Sequence, residues 1–162
     1  MRLIHTIGTA LFFLAAACSP QAASGGSAAP ATTPATHAIS GLPIIPLTVT
    51  AAGKQHRFRV EVARSENEQA RGLMFRTAMG ADEGMIFPMN PPRQSAFWMK
   101  NTVIPLDILF IGSDRRILNV AANAVPYSEA PLPSVGAAAA VLELNGGRAA
   151  QLGIAAGDRV DW

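Results

Sequence analysis

The stretch Gln55-His56-Arg57-Phe58-Arg59-Val60-Glu61-Val62-Ala63 decides the fold class. Phe58, Val60 and Val62 fall on one face and Arg57, Arg59 and Glu61 on the other, the two-residue period of a half-buried strand. Leu47 to Thr50 is a second β-rich run, and Gly53-Lys54 between the two predicts a hairpin. Downstream, Ser65-Glu66-Asn67-Glu68 is a capping-box pattern that predicts a helix through about Arg71 and Gly72, its early acids complementing the dipole. After the turn Asp82-Glu83-Gly84 come Met85 to Phe87, Ala96 to Lys100, Ile108 to Ile111 and, past Gly112-Ser113-Asp114, Ile117 to Ala121. The apolar run Ala137 to Leu144, a short helix around Arg148 to Leu152 ended by Gly153, and a strand from Arg159 to Trp162 complete the chain. Many short strands between Gly and Pro signals predict a mainly β (α+β) domain. Its expected form is a compact β-sandwich or barrel-like sheet with one or two short peripheral helices, not a βαβ fold.

Upstream of this domain the composition changes. Only 15% of the 162 residues are charged, against roughly 25% in ordinary soluble domains. Arg2 is the only charged residue before Gly41, so the shortage is local. Residues 1–17 have the layout of a signal peptide: Arg2, an apolar run from Ile7 to Ala17 too short to span a bilayer, and small residues before Cys18. Cys18 stands where the lipidated cysteine of bacterial lipoproteins stands, although Leu14 is one step further out than the usual leucine. Lipidation of this lone thiol is the leading expectation; ordinary cleavage after Ala17 and an uncleaved anchor are the alternatives. Residues 18–40 hold no charge and are rich in Ser, Ala, Pro, Thr and Gly, as expected of a flexible tether. The single domain is expected over 41–162, about 120 residues, enough for one core and too few for two. Multidomain enzymes, disulfide scaffolds and polytopic membrane proteins are excluded. The basic residues are scattered, with no nucleic-acid stripe.

Several motifs resemble those of a known family. They are Arg71-Gly72-Leu73-Met74-Phe75-Arg76, Glu83-Gly84-Met85-Ile86-Phe87, and the block from Phe97-Trp98-Met99-Lys100-Asn101-Thr102 through Pro105-Leu106-Asp107 to Phe110. The strand Val141-Leu142-Glu143-Leu144 and the closing Gly153-Ile154 with Gly157-Asp158 complete the set. In this order they resemble the bacterial family catalogued as domain of unknown function number 192, over roughly residues 46 to 162. The resemblance implies a small β-rich domain, often behind a signal peptide, and implies no reaction. One departure is Ala137 to Ala140, where the family often shows an aromatic.

Three chemistries compete for the function. The leading expectation is an exported, periplasm-facing binding or accessory module on either membrane. Its partners would be the membrane, through the lipid on Cys18, and a carbohydrate, peptide or other envelope ligand at Arg71, Trp98, Lys100 and Asn101. Strand alternation through Phe97 to Thr102 would set Trp98, Lys100 and Thr102 on one face as a ligand wall, or else bury Trp98 with Lys100 snorkelling at its edge. A second reading makes Asp107 and Glu143 a carboxylate couple for hydrolysis, set against buried ion pairing or capping of backbone amides by Asp107. A third takes Met74, Met85 and Met99, from a segment holding every methionine but Met1, as soft copper(I) ligands; filling of core gaps is the alternative. No cofactor is expected.

Overall fold

The computed structural model describes residues 35–162. The leader, Cys18 and the tether up to residue 34 lie outside the described residues. Nine strands run as β1 (Ile44–Ala51), β2 (Lys54–Val62), β3 (Glu83–Arg93), β4 (Ala96–Phe97), β5 (Leu106–Ile111), β6 (Ile117–Ala124), β7 (Leu132–Pro133), β8 (Ala138–Asn145) and β9 (Arg159–Asp161). Helices α1 (Glu66–Arg71) and α2 (Arg148–Leu152) interrupt them. Seven strands form one sheet in the order β6-β5-β8-β3-β2-β1-β9, and β4 pairs with β7 in a small ribbon. The protein is therefore mainly β with two short helices.

The β1–β2 hairpin turns on Ala52 and Gly53, with φ of 47° and 77°. Positive φ at both positions matches the right-handed strand twist, and Gly53 supplies it without steric cost. Leu47 pairs with Phe58 and Val49 with His56, which sends Phe58, Val60 and Val62 into the core and leaves Arg57 and Arg59 outside. Glu61 departs from that alternation. It is buried at 3% exposure because Arg76 Nη1 and Nη2 donate to its two oxygens at 2.9 and 3.2 Å.

Helix α1 begins where the capping box predicts, with Ser65 Oγ accepting from Glu68 N and Glu68 Oε2 from Ser65 N. It connects β2 to β3, which run parallel with Val60 opposite Gly84 and Val62 opposite Ile86. The sheet thus contains one parallel pair, joined by a helical crossover, that the sequence reading did not foresee. A six-residue helix with no buried residue carries no apolar stripe by which to announce it.

The central strands are covered on both faces, and all six residues of β5 are buried. Leu109, Ile111, Leu142, Leu144 and Ile86 join Val49, Phe58 and Val60 in one cluster. Ile108, Phe110, Val141, Met85 and Phe87 form the other, on the opposite face. The sheet is not closed. Its edge strands approach each other only at one end, where Arg116 bridges Arg159 and Val160 N donates to Arg115 O at 2.9 Å.

Two local expectations change. The strand foreseen from Ala96 to Lys100 stops at Phe97, because Asn101 takes a left-handed φ of 55° and Thr102 N turns back to Met99 O at 3.0 Å. The foreseen alternation is lost with it: Met99 and Thr102 are buried, whereas Trp98 is exposed. Residues 35–40, read as the end of the tether, turn back onto the domain. Thr36 bridges Pro43, Ile44 N donates to Ala35 O at 2.7 Å, and Ser40 Oγ donates to Glu61 Oε2.

Candidate functional site

On the face of the second cluster, a pocket of about 430 Å³ opens between the end of α1, the outer half of β3, the β4 ribbon and the loop 98–102. That volume lies within the ~300–1,000 Å³ of small-molecule sites. Gln69 fixes the α1 wall, its Nε2 donating to Ala63 O at 3.2 Å and Pro88 O at 2.9 Å. Phe97 fixes the opposite wall, edge-on to Phe87 at 5.1 Å and to Phe110 at 6.0 Å between centroids. The loop is pinned where Met99 N donates to Ser128 O at 2.8 Å.

Arg71, Trp98 and Lys100 all line this pocket. Trp98 is 49% exposed, and Lys100 Nζ stands 5.1 Å from its ring centroid in a cation–π contact. The wall that alternation predicted is thus made by a turn. Asn101 does not line the pocket; its Nδ2 donates to Met74 Sδ at 3.8 Å and its carbonyl accepts from Phe75 N at 2.8 Å. Asn101 therefore shapes the loop, and Met74 is a wall residue.

Glu143 reaches the same pocket from β8. It faces the second cluster, opposite Met85 on β3 and Ile108 on β5. Its exposure is 5%, and burial pushes its carboxyl up to about 8, so at neutral pH it is an acid carrying its proton. Asp107 pairs with Leu144 and so faces the other side of the sheet. There its Oδ1 accepts from Asn123 N at 2.8 Å and Gly147 N at 3.0 Å, and its Oδ2 from Ala149 N at 2.7 Å. The sheet separates the two acids, which overturns the direct carboxylate couple. Asp107 instead caps backbone amides.

The methionines also divide. Met85 and Met99 are fully buried in the second cluster among Phe87, Leu106 and Ile108, and only Met74 of the three lines the pocket. Core packing accounts for Met85 and Met99. Cys18 lies outside the described residues. The sequence reading missed Arg93, Gln94 and Ser95, which line the pocket from the end of β3 and its link to β4. A charged and polar triplet after Pro91-Pro92 carries no motif.

A second pocket, of about 370 Å³, lies beside the first and shares Arg71, Gly72 and Met74 with it. Phe75 lines it, 61% exposed with a left-handed φ of 62°.

Comparison with known proteins places the domain. The family described as DUF192, Uncharacterized ACR, matches residues 47–162. The chain belongs to that family. A crystal structure of a protein of unknown function from Novosphingobium aromaticivorans is 61% identical, with a TM-score of 0.79 over 82% of this chain and 94% of that one. Another family-sized likeness is to a Sinorhizobium meliloti protein described as a candidate transcription regulator, 41% identical at a TM-score of 0.72 over 74% of this chain and 94% of that one. No curated protein matches.

Proposed function

We propose that this family member is an exported binding module, held at the cell envelope by a lipid on Cys18, that takes a small envelope ligand in the pocket of Arg71, Trp98 and Lys100. The observation that carries the reading is their convergence on one pocket with Glu143. A half-exposed indole beside cationic side chains offers a stacking surface and charge together, and the lining of Gln69, Gln94, Ser95 and Thr102 adds hydrogen-bonding groups that fix orientation.

Trp98 is also its own reporter. In a Trp162→Phe background it is the sole tryptophan, and its emission is expected to change saturably with at least one member of a panel of neutral sugars, anionic sugars, dipeptides and organic acids. Arg71→Ala should weaken that response. No saturable response across the panel would overturn the site. The anchor has a separate check: Cys18→Ala should move the chain from the membrane to the soluble fraction, and unchanged membrane association would refute it.

A further inference from the structure

Resting on that reading of the pocket, the charge pattern of its lining narrows the ligand class. We propose that the pocket binds an organic anion, with its carboxylate among Arg71, Arg93 and Lys100, its apolar body against Phe87 and Phe97, and an inner oxygen accepting a hydrogen bond from Glu143.

The three cations line one pocket, and none forms a salt bridge among the described residues. Residues 1–34 contain no Asp or Glu, so that segment holds no side-chain carboxylate to neutralise them. Glu143 is the one acidic side chain in the lining, and it is more than nine-tenths buried. Its carboxyl forms no side-chain hydrogen bond to a described residue, and burial pushes it up to about 8. Glu143 is buried whereas Arg71 and Arg93 are solvent-facing, so the acid lies at the inner end of the lining and the two arginines at its exposed side. Met85 and Ile108, its neighbours on β3 and β5, are not titratable. The charged groups facing the cavity are Arg71 from α1, Arg93 from β3 and Lys100 from the loop. A ligand that meets cations at one end and a carboxylic O–H at the other satisfies both. Ionised Glu143 would instead repel an anion and lose its donor, so binding falls as the acid titrates.

The test uses the full chain with Trp162→Phe and two probes, 6-hydroxyhexanoate and its uncharged methyl ester. The hydroxy acid should bind about tenfold or more tightly than the ester, and Arg71→Ala should remove most of that preference. Between pH 6.5 and pH 9 its affinity should fall about tenfold, as expected when only the protonated form of an acid titrating near 8 binds. Glu143→Gln keeps an N–H donor of similar shape and should bind with a flat pH profile. Equal binding of acid and ester, failure of both probes to bind, or a pH profile unchanged by Glu143→Gln would overturn the inference. If both probes fail while a neutral sugar or dipeptide saturates the Trp98 signal, the anion is wrong and the binding module stands. If nothing saturates it, both are wrong.

Discussion

Asp107 and Glu143 occupy facing strands one register step apart, and that step sends them to opposite sides of the sheet. Asp107 is fully buried, and its two oxygens hold three backbone amides at the start of α2 and on β6. Hydrogen bonds to a charged acceptor contribute about 1.5–3 kcal/mol each, and orphaned buried amides cost a comparable amount. Asp107→Ala is therefore expected to destabilise the domain by ~3 kcal/mol or more in urea unfolding, and Asp107→Asn by less. A loss below about 1 kcal/mol would mean that the amides find other partners. Glu143 couples stability to pH. Its folded-state carboxyl titrates near 8 against an ordinary 4.5, so across that window the native state holds a proton that the unfolded chain has released. The contribution of Glu143 to stability is fully present below pH 4.5, falls as pH rises through the window by at most ~1.4 kcal/mol per pH unit, and levels off above pH 8. Glu143→Gln should remove that slope and leave the variant more stable than the parent at pH 9, read as melting temperature at pH 6 and 9. An acid inside Val141 to Leu144 was legible as anomalous. Which face it took was not, because that depends on the register of β3 and β5 against β8.

Among the elements, the β1–β2 hairpin and α1 were legible because their signals are local: strict alternation, a two-residue turn and a capping box. The pocket loop was not, since its shape depends on Asn101 adopting a left-handed conformation and on a hydrogen bond from Met99 to Ser128 across 29 residues of chain. Glu61 gives a sharper case. From β2 alone it reads as a solvent-facing acid, and only the turn after α1 brings Arg76 over it. The pair is buried, and His37 Nδ1 lies 3.6 Å from the same carboxylate. Removing one partner of a buried pair typically costs about 3–5 kcal/mol, whereas replacing both by apolar residues is often neutral. Arg76→Ala should therefore destabilise by about that amount and speed proteolysis within residues 35–40. The double variant Glu61→Leu/Arg76→Leu should recover much of the stability. Equal stability of the single variant and the parent would show that the pair contributes nothing.

At the scale of the molecule, the β class and the order of nearly every element were legible, since central strands buried on both faces read as unbroken apolar runs. The parallel β2–β3 pair and the two-residue ribbon strands were not, because pairings so short leave no periodic pattern. The pocket is a product of that global arrangement: α1, β3, β4 and β8 each lend it side chains from distant stretches of chain. The turned-back segment before β1 has a mechanical meaning. A pull on the chain upstream of residue 35 meets Ala35–Ile44 first and then His37–Leu42, so it peels a small hairpin one bond at a time. His37 and then Ser40 carry the load onto Glu61, ahead of the sheet. Load applied at residue 35 is therefore taken up by this segment before it reaches the sheet.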